Sequence, residues 1–212
     1  SNGGFNDELG IQQTEMLELG LNRRGSQVNW EVVFFTGETT NDIVPYELEA
    51  YPGRSFYRNA GQTKRSGVEL SYQRQFDRLQ LDLVYTYLDL RFAEESEPSI
   101  ANRHLPGVPW QSGSLQLSYQ LSDSLRLNYQ RLRRGALYAD DENQHKVKGF
   151  WLDHLSLQKQ WTSQSMRFST VIGVQNIANV RYADNIRINA FGSRFYELGL
   201  PRQVYLGFNV SL

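Results

Sequence analysis

The chain has 212 residues, no cysteine, and 22 Lys and Arg against 23 Asp and Glu, which excludes a disulfide framework, a thiolate metal site and a nucleic-acid partner drawn by net charge. Twelve Tyr, eleven Phe and four Trp against two Met make a strand-prone composition. A mean hydropathy of -0.54 and the lack of any run of ~18 apolar residues exclude a helical membrane protein, but not a membrane barrel, whose lumen and loops are polar.

In chain order, period-two alternation predicts nine strands. Leu17, Leu19 and Leu21 alternate with Glu18, Gly20 and Asn22, and Val28, Trp30, Val32 and Phe34 follow a turn at 23–27. Val68, Leu70 and Tyr72 alternate with Glu69, Ser71 and Gln73. Leu79, Leu81, Leu83, Tyr85 and Tyr87 come after a short turn near Asp77. Leu115, Leu117 and Tyr119 alternate with Gln116, Ser118 and Gln120, and a turn at 121–124 leads to Leu125, Leu127 and Tyr129. Leu155 and Leu157 sit between Trp151 and Trp161, and a turn at 162–165 leads to Phe168, Thr170, Ile172 and Val174. The last strand places Val204, Leu206, Phe208, Val210 and Leu212 on one face, and Tyr205, Gly207, Asn209 and Ser211 on the other.

Connection lengths alternate too. Tight turns follow strands one, three, five and seven, whereas long polar connections occupy roughly 37–66, 93–109, 134–149 and 179–194. Short turns on one side and long loops on the other describe an outer-membrane barrel with its long loops outside the cell. All six Pro fall in or beside the long connections, where no ladder hydrogen bond is lost. Residues 46–57 are expected to extend the strands above the membrane. Between Trp151 and Trp161, residues rising ~3.3 Å each and tilted ~40° cover about 25 Å, the height of an apolar band between aromatic girdles. Asp153 and Lys159 share the apolar parity, near the two ends of that span, where a charge costs only ~0–1 kcal/mol.

The fold class read from this pattern is all-β: a transmembrane antiparallel up-and-down β-barrel segment, with Glu69, Gln73, Gln116, Ser118, Gln158 and Asn209 facing the lumen. An odd strand count leaves one edge bare, and unpaired backbone groups cannot face lipid, so the chain is expected to be part of a larger barrel. It has no charged n-region followed by an apolar core, which suits a mature form or a fragment, with the start at Ser1 favouring a fragment.

Four motifs resemble one family. The alternating end strand resembles the C-terminal strand of TonB-dependent outer-membrane receptors, although those end on an aromatic and this chain ends on Leu212. The stretch GVQNIANVRYADNIR resembles the family's penultimate-strand motif at Val174, Asn176, Ile177 and Tyr182, and departs from it at Ala178 and Asn179. NAGQTKRSGVELSY and NRHLPGVP complete the order. The resemblance implies that residues 1–212 are the C-terminal portion, the last nine strands, of a twenty-two-stranded barrel closed around an N-terminal plug. It further implies energised uptake of an iron complex such as a siderophore, coupling to TonB through a plug outside this chain, and residence in the outer membrane. Phe208, Val210 and Leu212 would be the signal read by the barrel-assembly machinery. No cofactor, metal or catalytic residue is implied.

Asp140–Asp141 and Asp153–His154 resemble the acidic pair and the Asp–His pair of an outer-membrane protease, but no set of nucleophile, base and orienter is readable. The acidic loop offers oxygen ligands for Ca²⁺ without EF-hand spacing, and His104, His145 and His154 lack zinc-ligand spacing. Arginines are the better lead, because a guanidinium fork suits carboxylate or phosphate. Arg134, Tyr138, Arg187 and Arg194, with His104 and Arg58 behind them, are the residues expected to hold an anionic iron chelate. Arg131 and Arg133 continue the lipid-facing parity and are expected to contact lipopolysaccharide. A structural or adhesive barrel is the alternative reading, and an outer-membrane hydrolase a weaker one.

Overall fold

A computed structural model describes residues 9–59, 61–93, 99–193 and 195–211. Fifteen strands are present among them. In chain order they are β1 (Gln13–Arg23), β2 (Val28–Thr40), β3 (Ile43–Glu47), β4 (Ser55–Asn59), β5 (Thr63–Gln75), β6 (Leu79–Phe92), β7 (Gln111–Ser122), β8 (Leu125–Arg134), β9 (Leu137–Tyr138), β10 (Lys146–Val147), β11 (Phe150–Ser163), β12 (Met166–Gln175), β13 (Ala183–Ile186), β14 (Tyr196–Leu198) and β15 (Gln203–Ser211).

Nine of these strands build one antiparallel sheet in the order β1-β2-β5-β6-β7-β8-β11-β12-β15, a pure meander. These are the nine strands expected from the alternation. Their neighbours in sequence are their neighbours in space, as short turns dictate. β1 and β15 are the edges, so the sheet is open. No helix of the described residues is long and apolar enough to cross a membrane.

The alternation sets the two faces. Cross-strand partners share a face, and the register pairs apolar with apolar. Leu19 lies opposite Phe34, Leu70 opposite Val32 and Tyr85, Leu157 opposite Leu127 and Ile172, and Leu206 opposite Ile172. These side chains stand open: Leu17 is 72% exposed, Leu206 73% and Phe208 64%. Each would gain ~1.5–3 kcal/mol on leaving water, so this face requires an apolar medium. Some of the charges on it meet local partners. Asp153 accepts a hydrogen bond from the Tyr129 hydroxyl and pairs with Arg131 at 2.9 Å, while the Lys159 ammonium sits 5.9 Å from the Trp161 ring centre.

The other three strand pairs stand in the long connections. β3 and β4 keep the register of β2 and β5: Thr39 faces Thr63, and Ile43 faces Asn59. The break falls at Asn41, whose φ of 52° ends the regular strand. The hairpin at 43–59 therefore extends the wall, as expected for 46–57. β9 and β10 continue β8 and β11 in the same way beyond Gly135 and Gly149. β13 and β14 pair separately. Nearly all buried apolar residues belong to these connections or their roots. Val44, Phe92 and Ile100 form one cluster, and Leu137, Ala139, Val147, Ala190 and Phe195 another.

Candidate functional site

The polar face carries a cavity of about 890 Å³. Gln116, Asn128, Gln130, His154, Gln175 and Tyr205 line it from five successive strands, so the sheet is concave on this face. Parity alone accounts for this wall, because all six residues alternate with the apolar set. Tyr182 and Asp184 of the last long connection also line it. Tyr205 stands close because its cross-strand partner is Gly173, where an added Cβ would meet the phenol ring at 2.5 Å.

Arg134 closes the outer end of this cavity. One guanidinium nitrogen donates to the Asp184 carbonyl at 2.8 Å, and another donates to the Ala183 carbonyl. Its Cζ lies 4.7 Å from the Phe150 ring centre, and Phe150 in turn meets Tyr182 at 4.5 Å between ring centres. The Arg134 Nε is buried and has no hydrogen-bond partner among the described residues. A donor left in that state costs ~1–3 kcal/mol, a cost that an incoming oxygen acceptor would remove.

A second cavity of about 580 Å³ lies where four connections meet. Arg58, Glu47, Asp140, Asp141, His145 and Asn189 line it. Arg58 pairs with Asp141 at 3.4 Å. Burial pushes the Asp141 carboxyl above its ordinary value, against the pull of Asn189 and Arg58. Asp140 accepts hydrogen bonds from the backbone N–H of Gln144 (2.9 Å) and of His145 (2.7 Å), which shapes the turn.

The remaining expected site residues are dispersed. His104 and Tyr138 do meet, stacked at 6.0 Å, with Trp110 against both and the Lys146 ammonium 4.8 Å from the Trp110 ring centre. This cluster lines neither cavity. His104 Nδ1 is 3.3 Å from Asp89, yet burial and then Arg91 push the imidazole below its ordinary value. Arg187 pairs with Glu197 at 2.8 Å and reaches toward Gly53. Arg194 and Leu212 lie outside the described residues. Arg131 and Arg133 flank Trp151 on the apolar face, their Cζ atoms 5.1 and 5.0 Å from its centre. Phe208 and Val210 stand on the same face of β15.

The Asp153–His154 pair is split across the sheet. Asp153 is on the apolar face, and His154 on the polar face accepts the Asn176 N–H at 3.1 Å. Among the described residues no group of three or more His, Cys, Asp or Glu could hold a metal ion. Sequence reasoning missed the role of Asn189 and Glu47. Both lie in connections without a period, and their partners are distant in sequence.

The description "TonB dependent receptor-like, beta-barrel" fits residues 3–177 of the chain. Solved structures of similar shape include the ferric citrate transporter FecA in its unliganded form, at 17% identity and TM-score 0.76, over 93% of this chain and 31% of that one. The ferric yersiniabactin uptake receptor FyuA from Yersinia pestis gives 20% identity and TM-score 0.76, over 93% and 29%. The copper transporter OprC gives 17% identity and TM-score 0.75, over 96% and 30%. The chain thus spans about three tenths of the length of these structures. Meander, alternating connections, lipid-ready face and family match agree: the chain belongs to the TonB-dependent receptor β-barrel family of the outer membrane.

Proposed function

We propose that the chain is the C-terminal part of the barrel of a receptor that imports an anionic iron complex, and that it supplies wall and part of the ligand mouth. Coupling to TonB passes through a plug outside this chain. The observation that carries the reading is Arg134: a cation at the outer end of the polar-face cavity, stacked on Phe150, with one buried donor still unused. A carboxylate or catecholate oxygen would take that donor, and Tyr182 and Tyr205 would cover the ligand's apolar parts. The transporters of similar shape, two of ferric complexes and one of copper, support metal import as the common theme.

The test is binding of a ferric chelate to the full-length receptor. Charge-assisted hydrogen bonds are worth ~1.5–3 kcal/mol, so Arg134→Gln weakens binding roughly ten- to a hundredfold. Arg187→Gln and Arg58→Gln cost less, because Glu197 and Asp141 already offset those charges. Arg194→Gln, Tyr138→Ala and His104→Ala complete the panel. If Arg134→Gln, Arg187→Gln and Arg194→Gln all bind like the parent, these connections do not hold the ligand. If a neutral chelate binds equally well, the charge argument fails.

Two membrane partners belong to the same reading. Arg131 and Arg133 are assigned to lipopolysaccharide phosphates, and changing both to Gln should lower the lipopolysaccharide that copurifies. Phe208, Val210 and Leu212 are assigned to the assembly signal, and Phe208→Ser should reduce the heat-modifiable, assembled fraction. An unchanged amount in either experiment removes that assignment.

A further inference from the structure

A row of uncharged polar side chains crosses the wall of the polar-face cavity. Gln116 lies opposite Gln130, and Gln130 lies opposite His154. Gln175, one residue beyond the Leu155–Val174 pair, continues the row on β12, and its own partner on β15 is Gln203. The neighbouring row pairs Ser118 with Asn128, Asn128 with Ser156, and Ser156 with Gly173. Neither row holds an Asp, Glu, Lys or Arg. The imidazole adds a donor without a charge. The Asn176 N–H donates to His154 Nδ1 at 3.1 Å, so Nδ1 keeps its lone pair and Nε2 carries the proton. Asn176 is itself fixed by side-chain hydrogen bonds to Val180 and Leu200. Gln116, Gln130 and Gln175 make no side-chain hydrogen bond to a described residue, so each keeps its amide donors and its carbonyl acceptor for a guest.

We propose that the ligand of this cavity is a chelate with a single acid group and an uncharged, hydrogen-bonding body of the hydroxamate type: the acid meets Arg134, and the body lies against the amide rows. The inference rests on the receptor reading and narrows its substrate class. Arg134 is the cation that the lining turns to the polar face, because Arg133, the other guanidinium of that lining, stands beside Trp151 on the apolar face. Asp184 lines the same cavity and opposes further negative charge. A polyanion would set its extra charges against neutral amides and a carboxylate, and a buried charge without a partner is costly. Amide and hydroxyl side chains instead satisfy uncharged carbonyl, hydroxyl and N–O groups, and a wall built to hydrogen-bond such groups rejects a ligand that lacks them. The volume of about 890 Å³ is enough for such a chelate, since ligand cavities run to ~300–1,000 Å³.

Binding of three ferric chelates to the full-length receptor tests the assignment. They are a trihydroxamate with one free carboxylate, the same trihydroxamate without it, and a tris-catecholate, which carries three negative charges. The first should bind about tenfold or more tightly than either of the others. Gln116→Leu and Gln130→Leu should each weaken it about three- to tenfold, and both together roughly ten- to a hundredfold, with heat modifiability showing that each variant is assembled. Gln130→Lys should narrow the gap to the tris-catecholate, because it supplies a second cation. A tris-catecholate that binds the parent as tightly as the monoanion does would overturn the assignment and leave the receptor reading standing. So would an assembled double variant that binds the monoanion like the parent. Failure of all three chelates to bind would remove the receptor reading, and the substrate class with it.

Discussion

At the scale of single residues, Asn176 shows how one side chain ends a strand and shapes a loop. It is buried, with a φ of 51°. Its Nδ2 donates to the carbonyls of Val180 (2.9 Å) and Leu200 (3.2 Å), and its Oδ1 accepts the Val180 N–H at 2.8 Å. Asn176→Ala should lower the local opening free energy of the β13–β14 hairpin by about 2–4 kcal/mol, combining lost hydrogen bonds with the left-handed backbone. Asn176→Gly should cost about 1 kcal/mol less, since glycine accepts that φ freely. Equal losses in the two variants would show that the backbone conformation contributes nothing. Asp141 gives a pH prediction. Burial where the connections meet pushes its carboxyl above the ordinary value, and Arg58, Asp140, Glu142, His145 and Glu47 line the same cavity. The packed junction therefore binds the proton more tightly than the locally unfolded one. Its contribution to the stability of the junction is full below the ordinary carboxylate range and is lost as pH rises through the raised value. Amides of Leu137–Tyr138 and Ala183–Ile186 should gain protection on acidification through that window, and Asp141→Asn should abolish the gain. A protection that falls on acidification would reverse the assigned sign.

At the scale of elements, alternation decides which residue meets which medium. Lipid-quenched spin labels check it: labels at Leu117 and Leu157 should contact lipid, and labels at Gln116 and Gln158 should not. The reverse pattern would flip every assigned face, because a one-residue slip in register does so. Cross-strand glycines support the polar face, where Phe35 packs over Gly67 and Tyr205 over Gly173, each at 2.5 Å from the place of a Cβ. Such pairs place an aromatic ring flat against the sheet at a position where any side chain would push it away. The hairpins 43–59 and 137–147 are extensions of the wall in unbroken register, interrupted by residues with loop preferences.

At the scale of the whole molecule, the sheet has two unpaired edges, β1 and β15. Unpaired backbone groups in lipid each cost several kcal/mol, so the isolated chain should not persist as a closed monomeric pore. Refolded in detergent, it should associate through those edges. A monodisperse, heat-modifiable monomer with protected amides in Leu17–Leu21 would contradict this. In a larger barrel each edge would find a further strand to pair with, which makes the strand count a statement about the assembly.

The nine strands of the main sheet, their faces and the alternation of short and long connections were legible in the sequence. Period two is a local signal, and short turns force neighbours in sequence to be neighbours in space. Arg134 was legible on the polar face for the same reason, by parity with Gln130 and Asn128. The gathering of the outer connections was not. Asn189 finds Pro45, and Asp141 finds Arg58, across long stretches of chain, and loops carry no period that could announce such partners. The splitting of Asp153 from His154 lay on the line between the two. Alternation already sent them to opposite faces, but only the folded sheet supplied Tyr129 and Arg131 to hold the carboxylate and Asn176 to occupy the imidazole. Local pattern determined the wall, and long-range hydrogen bonds and ion pairs, which depend on the folded shape, decided how the outer connections meet.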